Sequence, residues 1–345
     1  MNPYEDLPQK NFWRPSVANR HPLDIDDLWE SKFKIKNSDK VACYGSCFAQ
    51  HIGQALRERG GCWYITEKAP SFVDESVRRK YSYDIFSSRT GNIYTVSLLK
   101  QWLLWATRKK EQPDEVWEKN GRFFDPFRPR VEPRGFKSKK EAIESRNITI
   151  ECFRESVVKS DYFVFTLGLT ESWVHKHGGY EYPMCPGTVA GEFNPDEHVF
   201  ENQRVPKVKN DLYCVLDILR ELNPKIKIIL TVSPVPLTAT YTSQHVIVAT
   251  MKSKSVLRSV AGMAAEDKRF VDYFPSYEII NSPVFNGMFF EPNRRSVNPR
   301  GVSYVMEHFF KSLEITKQDA FLEKSGAVQD AFCDEQLLEA FSDER

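Results

Sequence analysis

The residues best suited to chemistry lie in VACYGSCFAQHIG, residues 41–53. An apolar run opens through Gly45 into Ser46 and Cys47, and the residues from Phe48 onward read as a helix. A nucleophile at such a strand-to-helix turn meets free backbone N–H groups and the positive end of the helix dipole. The Ser46 hydroxyl could use that field, and so could the Cys47 thiol, since helix N-termini favour thiolates. The plain alternative is a tight turn, with Ser46 as a cap and Cys47 packed inward.

Small and polar residues also gather after the other apolar runs. Gly168-Leu169-Thr170-Glu171 follows Tyr162–Leu167, Ser233-Pro234-Val235-Pro236 follows Ile226–Val232, and Phe274-Pro275-Ser276-Tyr277-Glu278 follows Phe270–Tyr273. A polar stretch from the second of these leads to His245, a candidate base or a hydrogen-bonded loop residue. His51 reads as a partly exposed helix residue. His175, His177 and His198 lie in a Gly- and Pro-rich stretch with no third ligand at a useful spacing, so a loop over the substrate or a plain surface loop is expected there rather than a metal site.

Positioning these residues requires strands alternating with helices. Strands are expected at Lys40–Tyr44, Tyr162–Leu167, Ile226–Val232 and Phe270–Tyr273. Helices are expected at Phe48–Arg59, Thr95–Ala106, Lys139–Lys159, Val205–Leu222, Lys252–Ala265 and Pro299–Ser312. That alternation predicts an α/β fold, a mainly parallel sheet covered on both faces, with its site at the carboxyl ends of the strands. Residues 1–38 read as an irregular lead-in with a short apolar-aromatic helix near Ile25–Phe33, and residues 39–315 as the domain. Within it, the segment at about 108–140, containing FFDPFRPRVEPRGFKSKK, reads as an inserted loop or small hairpin whose basic cluster could touch an anionic substrate, with a solvated surface as the plainer reading. Residues 316–345 form an acidic tail with an amphipathic pattern at Ala331–Phe341, expected to pack or fray as a terminal helix.

Bulk composition narrows the function. The 345 residues carry a net charge of +1 and are 41% hydrophobic, which argues against nucleic acid or a membrane surface as partner. No apolar run approaches the roughly 18 residues of a membrane helix, and the N-terminus lacks a signal-peptide pattern. Seven scattered cysteines without a CxxC pair imply neither a zinc site nor a disulfide framework. A cytoplasmic protein without metal or cofactor is the expectation; the oligomeric state is open.

Several motifs in order then carry a resemblance: GSCFA at 45–49, TGNIYT at 90–95, TLGLTESW at 166–173, ILTVSPVPLTAT at 229–240 and SKSVLR at 253–258. Over roughly residues 38–310 the chain resembles the GSCFA family, similar in outline to the SGNH (GDSL-like) hydrolases. The resemblance implies a three-layer α/β/α sandwich and ester hydrolysis or acyl transfer, with a small-molecule or glycan ester as substrate. It makes Ser46 the nucleophile and its own N–H, the Gly91 N–H and the Thr170 hydroxyl the oxyanion donors. Asn92 would position substrate. The Asp-x-x-His of such enzymes maps onto Asn293 and Ser296, so the usual base is missing. His245 is the substitute candidate, partnered by Glu171 or Glu278, while Arg294 and Arg295 would bind an anionic group or stay solvated. An inactive glycan- or partner-binding protein is the alternative.

Overall fold

The computed structural model describes residues 2–313 and 334–342. The strands in chain order are β1 (Lys40–Gly45), β2 (Cys62–Trp63), β3 (Trp117–Lys119), β4 (Arg122–Phe124), β5 (Tyr162–Leu167), β6 (Glu171–His175), β7 (Glu181–Tyr182), β8 (His198–Asn202), β9 (Lys227–Val232) and β10 (Val271–Phe274). The α-helices are α1 (Ala49–Glu58), α2 (Glu75–Lys80), α3 (Val96–Ala106), α4 (Lys139–Lys159), α5 (Val205–Leu222), α6 (Val246–Asp267), α7 (Ser276–Asn281) and α8 (Pro299–Lys311).

The central sheet is parallel and five-stranded, in the order β10-β9-β5-β1-β2. Its strands alternate between two cores, as a period-two backbone must. Ala42, Tyr44, Phe163, Phe165, Ile228 and Leu230 face one core, which α3, α4, α5 and α6 complete. Val41, Cys43, Tyr162, Val164 and Ile229 face the other, against α1, α7 and α8. The result is a three-layer α/β/α sandwich, as the alternation predicted. Chain direction across the sheet reverses between β1 and β5, and at such a switch point the flanking loops splay apart and leave a crevice.

Helix ends follow local chemistry. The Thr95 hydroxyl accepts from Leu98 N at the start of α3, and Ser138 does the same for Glu141 N in α4. Asn298 caps α8 on Gly301 N, with Pro299 preset in the first turn.

The expected helix near Ile25–Phe33 does not form. That segment runs without helix, and Ile25 and Phe33 are buried. Tertiary partners override its helical pattern: Trp29 stacks on Phe309, Lys32 N–H donates to the Asp272 carboxylate at 2.8 Å, and Tyr304 Oη donates to Ile25 O at 2.6 Å. The lead-in therefore packs along α8 and covers the sheet edge at β10.

The 108–140 insertion forms the β3–β4 hairpin, turned at Asn120-Gly121 with both residues at positive φ. Its basic face is not simply solvated. Arg128 is fully buried and pairs with Asp125, which also pairs with Arg146 of α4. The Gly/Pro-rich stretch after β5, expected as loop, contains the antiparallel sheet β7-β6-β8. Among the described residues no helix is long and apolar enough to cross a membrane.

Candidate active site

Ser46 stands at the carboxyl end of β1, beside β5 at the switch point. Gly45 makes the turn possible: its φ is +135°, and a Cβ there would lie 2.4 Å from the Thr166 carbonyl oxygen. A Cβ on Gly168 would stand 2.9 Å from Ser46 Cβ and 3.0 Å from Tyr94 O, so glycine at both positions lets the strand ends close. The Ser46 hydroxyl is buried and has no hydrogen-bond partner among the described residues. A native protein rarely leaves such a group unpaired in a purely structural turn. Cys47, in contrast, is packed inward at 4% exposure, its thiol not part of a disulfide.

The TGN turn lies alongside. Ile93 N–H donates to Gly45 O at 2.9 Å, and Gln50 of α1 reaches the Asn92 side-chain oxygen at 3.5 Å. Asn92 is buried, and its amide donates to the Asp334 carboxylate at 2.5 Å. Gly91 lines the same small cleft with Arg130 and Asp334. Beyond Asp334 and Pro183, which border both spaces, a larger cavity of about 490 Å³ opens, walled by Trp173, Tyr182, Phe200 and Tyr241.

Two of the expected oxyanion donors are already spent. Ser46 N–H donates to Thr166 O at 3.0 Å, because the strand ladder of β1 and β5 continues one residue further than the motif suggests. The Thr170 hydroxyl donates to Asn202 Oδ1 at 2.9 Å, tying β5's end to β8. Of the three expected donors, the Gly91 N–H alone is not engaged elsewhere among the described residues, and the Asn92 amide beside it is held by Asp334.

The expected base and its partner are not brought together. His245 is exposed at the start of α6, where its Nδ1 accepts from Ile247 N. Glu171 is half-buried on the large cavity and accepts from the Thr240 hydroxyl and Tyr241 N–H instead. Burial moves its carboxyl above the usual range. Glu278 is held by Arg258 and by the Tyr273 hydroxyl. Asn293 and Ser296 close an exposed turn on each other, Asn293 Nδ2 donating to Ser296 Oγ at 3.0 Å. Arg294 is exposed in that turn and Arg295 half-buried; neither lines either cavity.

His51 is buried, not partly exposed, because the first turn of α1 is covered on every side; burial pushes its imidazole down to about 4. Nδ1 of His175 accepts from Gly178 N and Nδ1 of His198 from Asn194 N, and no metal-capable cluster occurs among the described residues.

A model of the GSCFA family matches residues 40–309, most of the chain. The chain belongs to the GSCFA family. No curated protein of known function matches it.

This GSCFA protein carries one residue near the serine that the sequence reading did not single out and one that it placed only within a basic cluster. Lys254 is fully buried, and its ammonium donates to Gly168 O at 2.7 Å. With Gly168 against Ser46, residue dimensions put that cation within about 9 Å of the serine. A positive charge at that place favours an alkoxide or oxyanion on the serine. A signal existed in the sequence: Lys254 shares the buried stripe of Leu257, Ala261 and Ala264 on α6. The second is Arg130, which the insertion delivers to the cleft, 3.5 Å from the Asp334 carboxylate. Nothing local distinguished it from its basic neighbours.

Behind the large cavity, Glu181 anchors the GSCFA sheet β7 to α3 by accepting from the Thr95 and Ser97 hydroxyls. Burial pushes its carboxyl up to about 7 against those donors. The folded protein therefore keeps this proton between about pH 4.5 and 7 while the unfolded chain releases it. Stability from this group is greatest below that window and falls through it by about 3 kcal/mol as pH rises. Glu181→Gln is expected to flatten the decline of Tm between pH 5 and 7.5. An unchanged slope in thermal unfolding would remove Glu181 as its source.

Proposed function

We propose that this GSCFA protein is a serine-dependent esterase or acyltransferase, built on an SGNH-like frame, that acts on an acyl ester of a sugar. The single observation that carries this reading is the buried Ser46 hydroxyl at the switch point, without a hydrogen-bond partner among the described residues, on a turn that the Gly91-Asn92-Ile93 segment joins through Ile93 N–H and Gly45 O. Ser46 would attack the acyl carbonyl, and collapse of the tetrahedral intermediate would break the acyl–oxygen bond, the serine proton passing to the departing sugar hydroxyl and leaving an acyl-enzyme, with the developing oxyanion met by preorganised donors. Water or a second hydroxyl would then release the acyl group. The sugar is suggested by the neighbouring cavity: its volume suits a sugar-sized ligand, and its aromatic walls offer flat apolar faces beside few polar groups.

A second reading, ligand binding without chemistry, is favoured by the lack of a histidine bonded to Ser46 Oγ. Incubation with a serine-reactive fluorophosphonate, then peptide mass mapping, separates the two. The ester-cleaving reading expects one adduct, on the peptide containing Ser46, and release of acetate from acetylated sugars. Absence of both at every pH from about 6 to 9, where a base of near-neutral pKa operates, establishes the binding reading instead.

A further inference from the structure

The small cleft lined by Gly91, Asn92 and Arg130 is bordered by a group of the protein itself, the Asp334 carboxylate. Asp334 begins a 3-10 helix, Asp334–Phe341, whose Leu338 and Phe341 line the aromatic cavity next to that cleft. Its carboxylate is 8% exposed and takes the Asn92 amide at 2.5 Å and Arg130 Nη1 at 3.5 Å, while its own N–H donates to the Tyr94 hydroxyl at 3.0 Å. We propose that Asn92 and Arg130 form a subsite for a carboxylate on the substrate, which Asp334 fills while no substrate is bound.

Three observations support a subsite over a fixed structural contact. First, the donors are held in place without the tail. Asn92 sits between Gln50 and the Ile93–Gly45 hydrogen bond, and Arg130 follows the Asp125–Arg128 pair buried in the insertion. Second, Asp334 stands between two spaces, since it and Pro183 border both the small cleft and the aromatic cavity. A ligand spanning the two would set an acidic group on Arg130 and its ring against Trp173 and Tyr182. Third, the far end of the segment is open: Leu338 is half-buried on the cavity wall and Phe341 is 59% exposed. A ligand carboxylate reaching the same place would meet the same two donors.

As a substrate subsite this rests on the ester-cleaving reading, and it names the substrate class: an acyl ester of an acidic, carboxylate-bearing sugar. An internal carboxylate competes at high effective concentration, so weakening it should raise affinity for a free one. The test is calorimetric titration of the full-length protein with sodium glucuronate, glucose and inorganic phosphate, none of which contains an ester. Asp334→Asn, which keeps shape and removes charge, is expected to bind glucuronate at least 10-fold tighter than the unmodified protein. Leu338→Ser, which loosens the segment and leaves every donor in place, should do likewise, and Arg130→Met added to Asp334→Asn should abolish the gain. No gain in either single variant overturns the subsite, as does an equal gain for glucose. Tighter binding of phosphate than of glucuronate to Asp334→Asn overturns the carboxylate assignment. Glucuronate binding that follows the expected order while no acetyl ester is cleaved retains the subsite and removes the chemistry at Ser46.

Discussion

Exchanging Ser46 for alanine is expected to lower acyl-ester turnover by at least about 10⁴-fold, to background, because the covalent route is lost with its nucleophile. The same exchange is expected to leave stability unchanged or to raise it by up to about 1 kcal/mol. In the native protein the hydroxyl is buried without a partner, and removing an unsatisfied buried polar group relieves its desolvation cost. The opposed signs are the diagnostic, since a turn residue held for structural reasons would lose stability on truncation. Steady-state kinetics on acetylated sugars and thermal unfolding of the same preparation measure both. Activity retained within tenfold would exclude Ser46 as nucleophile, and a loss of 2 kcal/mol or more would mark it as structural.

Asp125→Ala is expected to destabilise the fold by about 3–5 kcal/mol, because it strands two buried guanidinium groups. Asp125 lies 2.7 Å from Arg128 Nε and 3.1 Å from Arg146 Nε, and all three side chains are fully buried. Burial alone would raise the Asp125 carboxyl, but Arg146 and Arg128 hold it below its ordinary range. The remaining arginine donors are shared among Thr149, Ser145 and the carbonyls of Arg89, Pro113 and Glu115. The network thus fastens the insertion to α4, and the loss should appear as a Tm lowered by roughly 5 °C. Arg130 is two residues from Arg128, so ester turnover should also fall in folded protein below the transition. Denaturant unfolding that shows a loss under about 1 kcal/mol would mean that the pair contributes little beyond its own desolvation.

Legibility in the sequence depended on how local the causes are. The strands Tyr162–Leu167 and Lys227–Val232 are continuous apolar runs, and α4 and α5 carry clear ends in Ser138 and in Pro206 at the start of α5. Their alternation alone implies the covered parallel sheet. The GSCFA turn was legible too, because Gly45 is required by the φ of one residue and by the carbonyl it approaches.

The occupancy of the site was not legible, because it depends on groups far apart in the chain. Asp334 meets Asn92 across 242 positions, and Lys254 meets Gly168 across 86. No periodicity encodes such pairs. Arg128 and Arg130 differ by two residues in a uniformly basic stretch, yet one is buried on Asp125 and the other reaches the cleft. His245 had a suggestive position in the chain, but α6 begins there and uses the ring as its cap on the exposed end. The sequence by itself determined the α/β frame, the strand-to-helix turn and the serine upon it. Only the tertiary structure decided which donors remain free around that serine, which cations stand near it, and that the chain's own carboxylate lies in the cleft, because burial and pairing arise only when distant segments meet.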